Sequence, residues 1–476
     1  MHTLLLCPDR IGPLMAGPAI RYHEMARALV AHGSITLASP FPNPLEIPGV
    51  ERAVLDDLTL PRLLQRADLV VVQGLLFERH PTLAGAKVPV VVDLFDPMIL
   101  EALHLPDGRS MTGRLYSYER LLALTLLQLH RGDYFLAANS RQRDFYLGML
   151  AAVNRLNPAW AEKGVRPDRL VGLVPHGLPD GPVAEGPPVL KGVHPGVPSD
   201  AALIVWPGGL WDWTDPVTLV EAVDLVRREM PRTRLLLWGS RHPNPEVPAM
   251  EAPLRARRRA GELGLLDTVV FFEEWVPYEE RGRWLKESDV AVSLSLPSLE
   301  TRFAHRARLL DCLWAGVPVV TSRGDPLAAT ITRNGMGASV KPGRPDELAR
   351  ILLGLLGRPD ALRTMRDRIS RFRPRLTWQR CVKPLVRFMA TPRVDEAKRS
   401  LDFLGPLALL LAVDRPFLRP VVRAGVSLSR HGLWATLKKA SRVTAKALTP
   451  SNRQREAGPS VPSCPGGDAR KDVEIS

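Results

Sequence analysis

Residues 299–325, LETRFAHRARLLDCLWAGVPVVTSRGD, hold the side chains best suited to bind a charged, hydroxylated ligand. Arg306 and Arg308 stand at the start of a predicted helix that leads to a buried strand. A helix N-terminus has free N–H groups and a dipole that favours anions, so basic side chains there predict a phosphate site. Glu300 and Asp311 are placed to accept hydrogen bonds from sugar or ribose hydroxyls, although Asp311 also suits the helix dipole. The combination indicates a nucleotide-sugar site.

A glycine-containing loop, DRIGPLMAGPAI at residues 9–20, follows the first predicted strand and leads into a helical pattern. Gly17 allows the backbone to approach a phosphate or a sugar closely. A flexible surface loop is equally compatible with these residues. The spacing is not the GxGxxG of dinucleotide-binding proteins.

Two aspartates follow another apolar strand, in VVVDLFDP. Acids at the carboxyl end of a parallel strand face the ligand cleft, so Asp93 is predicted to contact substrate hydroxyls. Asp96 precedes Pro97 and is predicted to cap a helix. A divalent-metal pair is the alternative interpretation of the two acids.

Short apolar strands alternate with amphipathic helical patterns as far as residue 372. The strands are predicted at residues 3–7, 34–38, 69–72, 88–93, 134–137 and 170–174, and then at 202–206, 234–238, 269–272, 290–293 and 317–321. Apolar strands separated by helices indicate parallel sheets covered on both faces. The prediction is an α/β protein with two doubly wound, Rossmann-like domains that face each other across a cleft.

The predicted boundaries follow from shifts in composition. Residues 1–179 form the first domain, 180–200 a Pro- and Gly-rich linker, and 201–375 the second domain. A helix at 376–398, a basic amphipathic tail at 399–449 and a disordered end at 450–476 complete the chain.

The net charge of +14 is concentrated in the tail. Ten Lys or Arg and no acids lie between Arg415 and Arg455, so the rest of the chain nets only +4. Four widely spaced cysteines without a CxxC pair indicate a reduced, cytoplasmic protein rather than a disulfide framework or a zinc site. The first apolar run is too short for a signal peptide, and no run reaches the ~20 residues that span a bilayer.

Several motifs appear in a characteristic order along the chain. They are RYHEMARALVAHG from Arg21, VPHGLP from Val174, PGGLWDWTDPVTLVEAV from Pro207, LLLWGSRHPNP from Leu235, FFEEWVPYEERGRWLKESDVAVS from Phe271, and the segment at 299–325. Over roughly residues 1–390 the chain resembles the retaining glycosyltransferases of the GT-B fold, the family-4-type or group 1 enzymes.

The resemblance implies a hexosyltransferase whose second domain binds a nucleotide-sugar donor and whose first domain binds a glycan or lipid-linked acceptor. It implies transfer with retention of configuration, without a cofactor or a metal, and a role in bacterial cell-surface polysaccharide synthesis. It also implies a helix at 377–389 that crosses back onto the first domain. The implied catalytic residues are Glu300, Arg306 and Asp93, and the implied donor-binding residues are Gly17, Arg241, Arg308 and Asp311.

The chain departs from the family pattern at two places. The paired acids, Glu300 and Asp311, have ten residues between them instead of seven, and Phe303 stands at the regular spacing. The Arg and Lys expected after the first strand of the second domain are also missing, which leaves diphosphate charge to the arginines of the 299–325 segment. Trp211 and Trp213, in that same loop, either stack on sugar or pack the domain face, and packing is more common for Trp.

Residues 415–448 alternate apolar and basic side chains. Such a helix is predicted to lie on the anionic inner face of the cell membrane as a peripheral contact, and an extra helix packed on the protein is nearly as good an interpretation. No nucleic-acid-binding module is recognisable, so no nucleic-acid partner is expected. Two alternatives to the transferase remain: a nucleotide-sugar epimerase or hydrolase on the same fold, and a non-catalytic membrane-associated scaffold.

Overall fold

Thirteen parallel strands form two sheets in the computed structural model, which describes residues 1–104, 110–162, 164 and 166–395. The first sheet has the order β3-β2-β1-β4-β5-β6-β7 and the second the order β10-β9-β8-β11-β12-β13. The first sheet contains β1 (His2–Leu6), β2 (Ser34–Ser39), β3 (Val50–Val54), β4 (Leu69–Gln73), β5 (Val90–Asp93), β6 (Tyr134–Ala137) and β7 (Val171–Leu173). The second contains β8 (Ala202–Trp206), β9 (Thr233–Trp238), β10 (Val270–Glu273), β11 (Val290–Ser293), β12 (Val319–Ser322) and β13 (Gly337–Val340).

Helices connect the strands of each sheet. In the first domain they are α1 (Gly17–Leu29), α2 (Thr59–Arg66), α3 (Leu76–Arg79), α4 (Met98–Glu101), α5 (Met111–Arg131), α6 (Ser140–Ala152) and α7 (Pro158–Glu162). In the second they are α8 (Pro216–Glu229), α9 (Glu251–Glu262), α10 (Arg281–Lys286), α11 (Leu299–Phe303), α12 (Ala307–Ala315), α13 (Pro326–Arg333), α14 (Pro345–Leu356) and α15 (Pro359–Phe372), followed by α16 (Trp378–Cys381) and α17 (Lys383–Ala390).

Apolar side chains are buried on both faces of each sheet, as the continuous apolar strands predict. In β1, Leu5 packs on one face and Leu4 and Leu6 pack on the other, because alternate side chains of a strand point to opposite sides. The second sheet likewise separates two buried clusters, with Ile204 in one and Val205 in the other. The predicted class, two doubly wound parallel sheets, is confirmed.

Two edge strands were absent from the prediction. The β3 sequence, VERAV, is charged and half-exposed, so it lacks the apolar run that marks the inner strands. The β13 sequence, GASV, is short and begins at Gly337. A Cβ on Gly337 would lie 1.9 Å from the carbonyl oxygen of Val319, so only glycine allows this close pairing with β12.

The segment at 180–200 packs against the second domain. Leu190 and Val197 are buried in its core. The Glu287 carboxylate accepts hydrogen bonds from the backbone N–H groups of Val189, Leu190 and Lys191, at 2.6, 3.1 and 2.8 Å. The connection between the domains is therefore anchored at its second-domain end.

The last described helices return to the first domain. Trp378 and Leu385 are buried in its core, and the ring of Phe388 stacks on Tyr134 at 4.6 Å. The single predicted helix is in fact two, α16 and α17, because Pro384 occupies the first turn of α17, where proline is tolerated but the preceding helix cannot continue. The predicted tail (399–449) and disordered end (450–476) lie outside the described residues.

Candidate active site

A cavity of about 450 Å³ lies at the carboxyl ends of both sheets. The first domain contributes the loop after β1, the segment after β5, and α5. The second contributes the loops after β8, β9 and β10, together with α11 and α12. This is where open α/β sheets bind ligands.

Direct hydrogen bonds join the two domains beside the cavity. The Tyr278 hydroxyl donates to Oε1 of Glu24 at 2.5 Å, and Nδ2 of Asn244 donates to Oδ1 of Asp9 at 3.0 Å. All four residues are buried. In this structure the first-domain and second-domain walls of the cavity are therefore in direct contact.

Arg306 and Glu300 form a buried, bidentate ion pair at the cavity wall. The two Nη atoms of Arg306 donate to the two oxygens of Glu300 at 2.6 Å each. The Glu300 side chain is 0% exposed and that of Arg306 is 7% exposed. Asp325 lies 3.7 Å from Nε of Arg306. The predicted catalytic pair is thus brought together, but much of the Arg306 charge is already compensated by protein.

Among the described residues, no carboxylate forms an ion pair with Arg308, although the charges of Glu300 and Asp325 act on it. It lies in the first turn of α12 and lines the cavity, and its Nη1 is buried without a hydrogen-bond partner. Burial, reinforced by the charge of Arg306, lowers the pKa of Arg308 to about 9. The glycine turn after β8 is adjacent, since a Cβ on Gly208 would lie 4.0 Å from Cβ of Arg308. A buried guanidinium with a free N–H at a helix N-terminus is suited to an anion.

Asp311 lines the same cavity from the second turn of α12. Nε of Arg281 donates to its Oδ1 at 3.3 Å, and burial raises the pKa of Asp311 above its ordinary value. The Arg281 guanidinium lies over the rings of Tyr278 and Trp314, at 3.6 and 4.8 Å. Arg281 was missed because its partner is thirty residues away in the chain.

Asp93 does not line the cavity, contrary to the prediction for it. Its carboxylate accepts two hydrogen bonds from Arg21, at 2.6 and 2.9 Å, and both side chains are fully buried. Arg21 also donates to the carbonyl of Val174 at 3.0 Å. Asp93 therefore ties α1 to β5, and the sequence could not reveal this because Arg21 lies 72 residues earlier.

Asp96, predicted to cap a helix, instead lines the cavity. Its side chain accepts a hydrogen bond from Nε2 of Gln73 at 2.7 Å, and α4 has no side-chain cap. Burial, with the nearby charge of Asp93, raises the pKa of Asp96 to about 7. Glu101, at the end of α4, also lines the cavity. Burial and Asp96 raise the pKa of Glu101 well above its ordinary range.

Gly17 begins α1 and lines the cavity with its neighbours in the loop after β1. A Cβ at this position would meet no atom within 4 Å. Gly17 is therefore placed beside open space, as the prediction requires. Arg241, predicted to bind the donor, is exposed and lies outside the cavity lining.

Aromatic rings from three successive strand loops form another part of the wall. Trp211 follows β8, His242 follows β9 and Trp275 follows β10, and all three line the cavity. The rings of Trp211 and Trp213 stack at 5.6 Å, with Trp213 more deeply buried. His242 lies 5.4 Å from Trp211 and 5.8 Å from Trp275. In this loop Trp213 therefore packs in the domain, while the more exposed Trp211 also lines the cavity.

Two neutral histidines lie near the Phe95 ring. His176 is 6.0 Å and His305 6.1 Å from it, centroid to centroid. Burial lowers the pKa of His305 to about 3 and that of His176 well below its ordinary value. His305 lines the cavity, with both ring nitrogens buried and outside hydrogen-bonding geometry. In the part of the chain that the structure describes, no cluster of acids, histidines and cysteines forms a metal site.

Comparison with known proteins identifies the second domain. Residues 201–358 match the family described as glycosyl transferases group 1. A curated relative, D-inositol 3-phosphate glycosyltransferase 2 from Catenulispora acidiphila, is 28% identical over 213 residues, which cover 44% of this chain and 46% of the relative. The match thus spans about half the length of each protein.

Solved structures identify the whole fold as GT-B. The sucrose-phosphate synthase of Thermosynechococcus elongatus has a TM-score of 0.56 at 15% identity, covering 82% of this chain and 98% of that one. Anabaena HepE, solved in complex with UDP-glucose, has a TM-score of 0.55 at 14% identity, covering 82% of this chain and all of that one. The residues that match the group 1 family therefore lie in the second domain of a two-domain GT-B fold. Among the described residues, no helix is long and apolar enough to cross a membrane.

Proposed function

We propose that this chain is a glycosyltransferase that moves a hexose from a nucleotide-sugar donor to a glycan or lipid-linked acceptor with retention of configuration. The observation that carries the proposal is Arg308, which lies at the N-terminus of α12 in the wall of the cavity and whose Nη1 is buried without a hydrogen-bond partner among the described residues. Leaving a buried charged group unpaired costs stability unless a ligand engages it. A diphosphate supplies the missing negative charge.

The chemistry rests on stabilising the leaving group. As the bond between the anomeric carbon and the diphosphate oxygen breaks, negative charge grows on the diphosphate, beside Arg308 and the free N–H groups of α12. The acceptor oxygen forms the new bond on the same face of the sugar, and its proton leaves with the nucleoside diphosphate. Arg306 is held in place by Glu300, and Asp311 is available to a ribose hydroxyl.

The donor and acceptor assignments draw on the relatives. HepE was solved with UDP-glucose, which supports a uridine diphosphate sugar as the first donor to test. We propose that the enzyme works in the cytoplasm, in bacterial cell-surface polysaccharide synthesis, at the inner face of the membrane. Flotation with anionic liposomes, for the full chain and for one ending at Ala390, tests the membrane part, since equal flotation would remove any role for residues 415–448.

A thermal-shift panel tests the donor site directly. UDP, GDP, dTDP and ADP, free and as sugar conjugates, are added to the purified protein, because a ligand that binds only the native state raises the melting temperature by mass action. One nucleotide should raise it, and the shift should fall by at least half in Arg308→Ala. No shift with any nucleotide would favour a non-catalytic scaffold, and nucleotide release independent of acceptor would favour an epimerase or hydrolase.

A further inference from the structure

The first-domain wall of the cavity combines carboxyl groups with apolar side chains. Asp96 and Glu101 line it together with Leu75, Met98 and Leu121. Binding of the nucleotide diphosphate at Arg308 requires none of these five residues. All five belong to the first domain, whereas Arg308 and α12 belong to the second.

Glu101 is the member of this wall that is free to bind a ligand. Among the described residues, no side chain forms a hydrogen bond or ion pair with its carboxyl group, whereas Asp96 is bonded to Gln73. The helix that ends at Glu101 packs against α11, which carries Glu300. The charges of Asp96 and Glu300 both act on Glu101, and Arg306 partly offsets them. The carboxyl group of Glu101 therefore lies near two others, those of Asp96 and Glu300, and near the Arg306 guanidinium.

His305 lies on the facing wall, and its ring packs edge-on against Phe95, the residue before Asp96. Among the described residues, neither ring nitrogen has a partner in hydrogen-bonding geometry, although the backbone of His176 is close enough to act on the ring. A neutral imidazole has one donor and one acceptor nitrogen. Buried polar groups of this kind are normally satisfied, so the space between His305 and the carboxyl wall is suited to hydroxyl groups.

We propose that Glu101, with Asp96 and His305, binds the hydroxyl groups of an acceptor sugar, and that Leu75, Met98 and Leu121 contact an apolar group attached to that sugar. The proposal rests on the transferase function above and names the acceptor class, a sugar linked to an apolar aglycone. Glu101 acts as a positioning residue that accepts a hydrogen bond from the acceptor hydroxyl. A charge-assisted bond of this kind corresponds to about a 10- to 100-fold change in affinity.

The test compares Glu101→Gln with the wild type, using the donor found in the thermal-shift panel. The probes are octyl and methyl glycosides of glucose, galactose, mannose and N-acetylglucosamine. Glu119→Gln is the matched control, because Glu119 is exposed on α5 and outside the cavity lining. Glu101→Gln should raise KM for the acceptor about 10- to 100-fold while the donor KM and nucleotide shift stay within about twofold. Glu119→Gln should change neither.

The remaining outcomes are equally decisive. The octyl glycoside should have a lower KM than the methyl glycoside of the same sugar, and Leu121→Ser should abolish that difference. An unchanged acceptor KM in Glu101→Gln, or in Glu101→Asp if the glutamine variant fails to fold, would overturn the proposal. So would transfer to no glycoside by a wild type that binds the nucleotide. Absence of any nucleotide shift in the wild type would instead refute the transferase function.

Discussion

Arg306 and Arg308 stand two residues apart, yet the structure predicts opposite results for their removal. Arg308→Ala deletes a cation that forms no ion pair with any carboxylate among the described residues and whose Nη1 is buried, so the free energy of unfolding of the ligand-free protein should stay the same or rise. Arg306→Ala leaves Glu300 buried without its bidentate partner. Breaking a buried pair in this way costs about 3–5 kcal/mol.

The effects on nucleotide affinity should also differ. Loss of a charge-assisted contact to the diphosphate at Arg308 costs about 1.5–3 kcal/mol, or about 10- to 150-fold in Kd. At a ligand concentration about 100 times the wild-type Kd, nucleotide binding stabilises the wild type by about 2.7 kcal/mol, and Arg308→Ala should lose at least half of that. Arg306→Met combined with Glu300→Met, which removes both charges at similar volume, should recover most of the stability lost in Arg306→Ala.

Two measurements on each variant test these predictions. Chemical denaturation without ligand gives the free energy of unfolding, and calorimetric titration gives the Kd for the nucleotide that the thermal-shift panel selects. The reasoning is wrong if Arg308→Ala unfolds several kcal/mol more easily than the wild type, or if it binds the nucleotide with an unchanged Kd. Equal stability of Arg306→Ala and the wild type would show that Glu300 does not depend on its partner.

Three further predictions concern the surroundings of the site. Gly239→Ala should lower both the melting temperature and the nucleotide affinity, because Gly239 has φ +80° and its new Cβ would lie 2.9 Å from the backbone of Gly208. Gly261→Ala is the control, because a Cβ at Gly261 meets nothing within 4 Å. An equal effect of the two substitutions would contradict the prediction. Asp93→Asn should reduce the free energy of unfolding by a few kcal/mol, since Arg21 loses its buried partner, while kcat of the folded enzyme stays nearly constant. A lower kcat without destabilisation would instead show that Asp93 takes part in catalysis. Asp96→Asn should become more stable relative to the wild type as pH rises from 5 to 8. The reason is that the Asp96 carboxyl group keeps its proton in the folded protein up to a pKa of about 7, whereas the unfolded chain releases it near 3.8. A melting-temperature difference between variant and wild type that does not grow with pH would refute this prediction.

The inner strands could be predicted because each is a continuous apolar run, and burial on both faces requires such a run. The β3 and β13 strands could not, since an edge strand needs apolar residues on fewer sides and β13 depends on the close approach of Gly337 to β12. The break between α16 and α17 was visible at Pro384. It was overlooked because the apolar pattern continues across it.

The candidate site was predictable where its residues are close in sequence. Residues 299–325 form α11, α12, β12 and the short connections between and after them, and local chemistry predicted a site at Arg306, Arg308 and Asp311, which all line the cavity. The nearby sequence does not reveal which residue forms an ion pair with each charged side chain. Asp93, on β5, is neutralised by Arg21 from α1. The carboxyl group of Glu101, which has no side-chain partner among the described residues, has no sequence signal, because its position follows from how α4 packs on α11.

The central claim, that this cavity transfers sugar from a nucleotide with retention, is tested most directly by following one reaction by NMR. Purified protein is incubated with the nucleotide sugar selected by thermal shift and an octyl glycoside. The anomeric signals of donor and product are then recorded with the released nucleoside diphosphate. The account predicts nucleoside diphosphate and a new glycosidic linkage with the same anomeric configuration as the donor. An inverted product, or binding without release or transfer, would contradict it.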